Sequence, residues 1–126
     1  MNLIILSSRV TVDQLRQMLA AIGTHIKVAV DVRRHVIAGG GEFHNDCRQC
    51  LLDDGSAPEN VWGCNWYPDE QRAVAESAIN LRPQSGNLLH LIQDRELRDQ
   101  VEAEVSCYSH QQPLPLLPPP RFISAA

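Results

Sequence analysis

The chain is 126 residues long, 44% hydrophobic, and carries a formal net charge of −4. That length suits one domain with a core of its own and leaves no room for a second. Its basic residues are scattered, with Arg33-Arg34 the only adjacent pair, which excludes the phosphate-neutralising surface on which nucleic-acid affinity depends.

No stretch approaches the ~20 apolar residues of a membrane-spanning helix, so no membrane partner is expected. The run Leu3 to Leu6 is too short for a secretory leader and lacks a charged region before it. The four cysteines are therefore expected as thiols in a reducing, cytoplasmic compartment.

Leu3 to Leu6 reads as a short edge strand closed by Ser7-Ser8. Thr11-Val12-Asp13-Gln14 matches a capping box and starts a helix. The apolar positions of that helix, Val12, Leu15, Met18, Leu19 and Ile22, recur at helical spacing, and Gly23 follows where positive φ is often required. IKVAVDV from Ile26 to Val32 has the alternating β-branched residues of a strand. Arg33-Arg34 makes a turn, and His35 to Ala38 returns as a second strand running into Gly39-Gly40-Gly41. There the backbone is free to bend, bulge or approach a ligand.

The passage VIAGGGEFHNDCRQCLLDDG, Val36 to Gly55, concentrates the residues of chemical interest. A strand continued through Asp46 would line up Glu42, His44 and Asp46 on one face. The favoured reading is a strand to about Phe43 and a helix after Asn45, which places Cys47, Cys50 and Leu51 on one apolar face and ends at Gly55. Asn60 to Tyr67 reads as an aromatic-rich strand, and Gln71 to Leu81 as its partner across a Pro68-Asp69-Glu70 turn. Residues 82–87 form an irregular Pro/Gly loop. Asp94 caps a last helix carrying Leu97, Val101 and Val105. After Ser106 the composition turns Pro-rich, an extended tail over 106–126. The fold expected is α+β: one domain over 1–105, an antiparallel sheet of two β-hairpins, and N-terminal, middle and C-terminal helices.

Four motifs stand in order: Gly40-Gly41-Glu42-Phe43-His44-x-Asp46, Leu51-Leu52-x-Asp54-Gly55-Ser56, Trp62-Gly63-x-Asn65-x-Tyr67-Pro68 and Ile79-Asn80-x-Arg82-Pro83-x-x-Gly86-Asn87. From Val12 to Val105 they resemble a family of short bacterial proteins, a domain of unknown function familiar from cyanobacteria. The resemblance implies that Glu42, His44, Asp46, Trp62, Asn65, Arg82 and Asn87 occupy motif positions and that Cys47, Cys50 and Cys64 do not. The Pro-rich tail departs from the pattern.

Glu42, His44 and Asp46 are candidates for an acid/base group, since an imidazole titrates near neutrality and a carboxylate beside it fixes its tautomer. The structural alternative is that His44 and Asp46 cap the helix and hydrogen-bond the glycine stretch. Arg82, in the Pro/Gly loop with Asn80 and Asn87 nearby, suits a bidentate grip on a carboxylate or phosphate, or a salt bridge to Glu42, Asp46 or Asp54. Trp62 and Trp66 share a strand face and would floor a pocket or simply pack. His44, Cys47, Cys50 and Cys64 have the ligand types of a Cys3His zinc site, although a single CxxC on a helix more naturally supplies core thiols. Two functions follow as expectations. One is a small-molecule-binding or hydrolytic pocket for an anionic ligand built from Glu42, His44, Asp46 and Arg82 with Asn87, Asn65 and Trp62. The other is a non-enzymatic interaction or homo-oligomerisation module.

Overall fold

The computed structural model describes residues 3–109. In chain order these form β1 (Ile4–Leu6), α1 (Val12–Leu19), β2 (Ile26–Asp31), β3 (Val36–Gly41), α2 (His44–Asp53), β4 (Val61–Tyr67), β5 (Arg72–Val74) and α3 (Arg95–Ser109). All pairings are antiparallel in the order β1-β3-β2-β4-β5. The expected α+β class is what the chain adopts: the β2-β3 and β4-β5 hairpins lie side by side, and β1 joins the outer edge of β3.

Strand side chains alternate between two faces, and here both are covered. Ile26, Val28, Val30, Ile37, Trp62, Cys64 and Trp66 enter the larger core with Met18 of α1 and Val101 and Val105 of α3. Ala29, Val36, Ala38 and Val61 meet Cys47 and Leu51 of α2 on the other side. A strand buried on both faces explains why β2 reads almost continuously apolar.

The local signals act as their chemistry requires. Gln14 N–H donates to Thr11 Oγ1 at 3.1 Å, and Thr11 N–H donates to Gln14 Oε1 at 2.9 Å, closing both halves of the box. At the β2-β3 turn, Asp31 Oδ1 accepts the Arg33 and Arg34 N–H groups, each at 2.9 Å.

One expectation is borne out and one is corrected. The strand expected to about Phe43 runs through the glycine triplet, all three residues belonging to β3. A Cβ on Gly39 would stand 2.9 Å from Val28 Cγ1 and 3.1 Å from Met18 Sδ, and one on Gly41 would stand 3.0 Å from Asp46 Cβ. Gly40, at φ 97°, coincides with a register shift opposite Lys27 and Val28, the geometry of a bulge. The glycines therefore let α1 and α2 pack close to the sheet. The correction concerns the strand expected over Gln71 to Leu81, which stops at Val74. Ala75 N–H donates to Glu102 of α3 at 2.9 Å rather than to β4, and Ser77 Oγ accepts the Ile79 N–H at 3.2 Å to open a 3₁₀ turn. Residues 110–126, most of the Pro-rich tail, lie outside the described residues.

Candidate functional site

Because β5 pairs with β4 only at Asn65, Trp66 and Tyr67, the first half of β4 has no strand on its outer side. Alternate residues of a strand turn their backbone N–H and C=O toward the same edge, and side chains of the following segment occupy those positions here. Gly63 N–H donates to Asn80 Oδ1 at 2.7 Å, while Asn80 Nδ2 donates to Gly63 O at 3.0 Å and His90 O at 3.1 Å. Two residues earlier on β4, Val61 O accepts from Arg82 Nη2. Arg82 Nε donates to Ile79 O at 3.1 Å and Nη1 to Pro58 O at 3.4 Å.

An amide side chain carries the donor and acceptor of a peptide, so Asn80 stands in for a residue of the missing strand. The Asn80-x-Arg82 spacing, running antiparallel to Val61-x-Gly63, follows from that register. Gly63 has to be glycine for the same reason: a Cβ would come 2.3 Å from Ser77 Cβ. Asn87 then ties the segment to itself. Its Nδ2 donates to Asn80 O at 2.8 Å and Leu89 O at 2.7 Å, and its Oδ1 accepts the Gln93 N–H at 2.8 Å.

Arg82 is thereby fixed with its guanidinium carbon 3.9 Å from the centre of the Trp62 ring, a cation–π contact. It also borders a cavity of about 460 Å³ between α2 and the 79–85 segment, together with Asn45, Arg48, Glu59, Gln84 and Ser85. Burial, and after it the neighbouring Arg48 charge, lowers the Arg82 pKa from its ordinary value. Among the described residues neither Arg48 nor Arg82 is ion-paired. Two positive groups therefore share one hollow, and what they can do chemically is hold an anion.

Of the residues expected at a site, Arg82 alone lines this cavity, and Trp62 bears on it only through its contact with the Arg82 guanidinium. Asn87 is buried and holds the loop. Glu42 is exposed. Asp46 caps α2, its carboxylate accepting the Phe43 N–H at 3.2 Å. His44 sits at the start of that helix with Nε2 3.2 Å from Cys64 O; a carbonyl only accepts, so this nitrogen carries the proton. The Asn65 side chain lies against the same ring, and burial, the largest influence, pushes the His44 pKa down to about 4. The imidazole is thus a neutral tie between α2 and β4.

That depression has a sign. The unfolded ring protonates near 6.5 and the folded ring only near 4, so stability is lost as pH falls through this window. The loss is about 2 kcal/mol at pH 5 from this group. His44→Gln, which keeps an N–H for Cys64 O, is expected to flatten that part of the pH profile in urea melts taken between pH 7 and 5.

The zinc reading is corrected by the sheet itself. Cys64 belongs to the core under α1 and α3, whereas Cys47 belongs to the core under α2, on the opposite face. Cys47 Sγ donates to Lys27 O at 3.2 Å, and burial raises its pKa to about 11 and raises that of Cys64 as well. Both are core thiols. Among the described residues no group of three or more His, Cys, Asp or Glu side chains is placed to hold a metal.

Sequence reasoning missed Arg48, Asn45, Glu59, Gln84 and Ser85. Arg48 stands three residues after Asn45, on one side of α2, but nothing in that spacing separates it from a solvated helix residue. No curated protein and no solved structure matches the chain. The model of a protein family of unknown function, DUF5674, matches residues 4–107, and the chain belongs to that family.

Proposed function

We propose that this protein is a small-molecule-binding module that takes an anion in the cavity between α2 and the 79–85 segment, with Arg82 as the anchor and Arg48 as the second cation. The observation that carries this reading is the pair of guanidiniums, neither ion-paired among the described residues, that border one hollow. Like charges held together in a half-buried place repel, and an anion between them turns that repulsion into attraction. Asn45, Gln84 and Ser85 add neutral hydrogen-bonding groups on the same lining. The geometry supports binding rather than hydrolysis, since Glu42, His44 and Asp46 do not line the cavity. The four cysteines are free thiols, in keeping with a bacterial cytoplasm as the place of action.

The test is an NMR titration of the full chain with inorganic phosphate and with acetate at constant ionic strength. Backbone amides of residues 45–48 and 82–85 are expected to shift and saturate. Shifts that stay linear, or that chloride reproduces, would overturn the proposal.

A further inference from the structure

Leu81, Leu88 and Leu89 are 47%, 62% and 54% exposed. Leu81 lines the cavity. The antiparallel bridge Arg82↔Asn87 sets Leu81 and Leu88 opposite one another as the next pair along. Their backbone is pinned: Leu88 N–H donates to Gln93 Oε1 at 2.6 Å, and Leu89 O accepts from Asn87. The loop is tied through its backbone while these leucines face solvent, and an apolar patch beside polar groups is a feature of ligand grooves.

The charge at the cavity points to the rest of the ligand. Arg48 and Arg82 contribute two positive charges and Glu59 one negative, leaving a net of +1. A monoanion neutralises that lining, whereas a phosphate dianion would reverse its sign and an uncharged apolar molecule would leave the arginines facing each other. Resting on the anion-binding reading above, we infer that the ligand class is a monocarboxylate with an apolar body, the carboxylate between Arg48 and Arg82 and the body along Leu81, Leu88 and Leu89.

The experiment measures the thermal midpoint of the full chain at constant ionic strength with sodium acetate, butyrate, hexanoate and 3-phenylpropionate, with inorganic phosphate, and with hexan-1-ol. Affinity derived from the shifts is expected to rise about two- to fourfold per methylene, with hexanoate well above both phosphate and hexan-1-ol. In the double variant L88S/L89S, measured against its own ligand-free midpoint, the series is expected to collapse toward the acetate value. If acetate or phosphate matches hexanoate, the cavity takes a bare anion and only this inference falls. If hexan-1-ol matches hexanoate, the carboxylate is irrelevant and the inference falls. If no anion moves the midpoint, the anion-binding reading falls with it.

Discussion

Asn80→Ala is expected to lower the free energy of unfolding by about 3 kcal/mol, as the sum of several stranded groups. Asn80 is fully buried, and its amide satisfies the Gly63 N–H, the Gly63 carbonyl and the His90 carbonyl. Alanine leaves all three without that partner, and each buried backbone group left unpaired costs about 1–3 kcal/mol before water or local movement relieves part of it. Asn80→Asp sharpens the test. It retains an acceptor for the Gly63 N–H but turns a carboxylate oxygen toward two carbonyls, so it should be no milder than alanine. Urea denaturation followed by circular dichroism measures both. A loss below about 1 kcal/mol would mean that the edge of β4 is satisfied by something other than this side chain.

Arg82→Ala is expected to cost a further comparable amount, about 2–3 kcal/mol, since it removes charge-assisted bonds and a cation–π contact together. The guanidinium holds the carbonyls of Pro58, Ile79 and Val61 and covers the Trp62 ring. Arg82→Lys should recover only a minor part, because an ammonium cannot reach acceptors in three directions from one plane or stack on an indole in the same way. Asn80 and Arg82 act on one strand edge, so their two losses are expected to be non-additive by more than about 0.5 kcal/mol in a double-mutant cycle. Additive losses would show that the two side chains hold the segment independently.

The parts of the fold that could be read from sequence are those decided within a few residues. Thr11 with Gln14 announces α1, and the alternation from Ile26 to Asp31 announces β2. Asp94 marks the start of α3, its Oδ1 accepting the Leu97 N–H at 3.2 Å. The misreadings share a cause, which is that the deciding contact lies far along the chain. Gly39 lacks a side chain so that Met18, far back along the chain, can approach, and a missing side chain looks the same whether it serves a bend, a ligand or tight packing. The apolar residues after Val74 have a strand's composition, yet Glu102 of α3 takes the Ala75 N–H and ends the pairing. Asn80 and Arg82 were visible as a motif, but the role of their spacing depends on β5 stopping short of Gly63. Arg48 was invisible because its importance comes only from facing Arg82.

The Arg48 side chain makes no hydrogen bond or ion pair among the described residues, which sets it apart from Arg82 and makes it the cleaner probe of the cavity. The direct measurement is calorimetric titration of hexanoate into the wild-type chain and into Arg48→Gln, alongside the ligand-free urea stability of each. Removing a charge that faces another of the same sign should leave the ligand-free stability unchanged or slightly raised, while hexanoate affinity falls about tenfold or more, the effect of losing one charge-assisted contact. Affinity that survives Arg48→Gln unchanged, in a protein that is itself as stable as the wild type, would contradict the account.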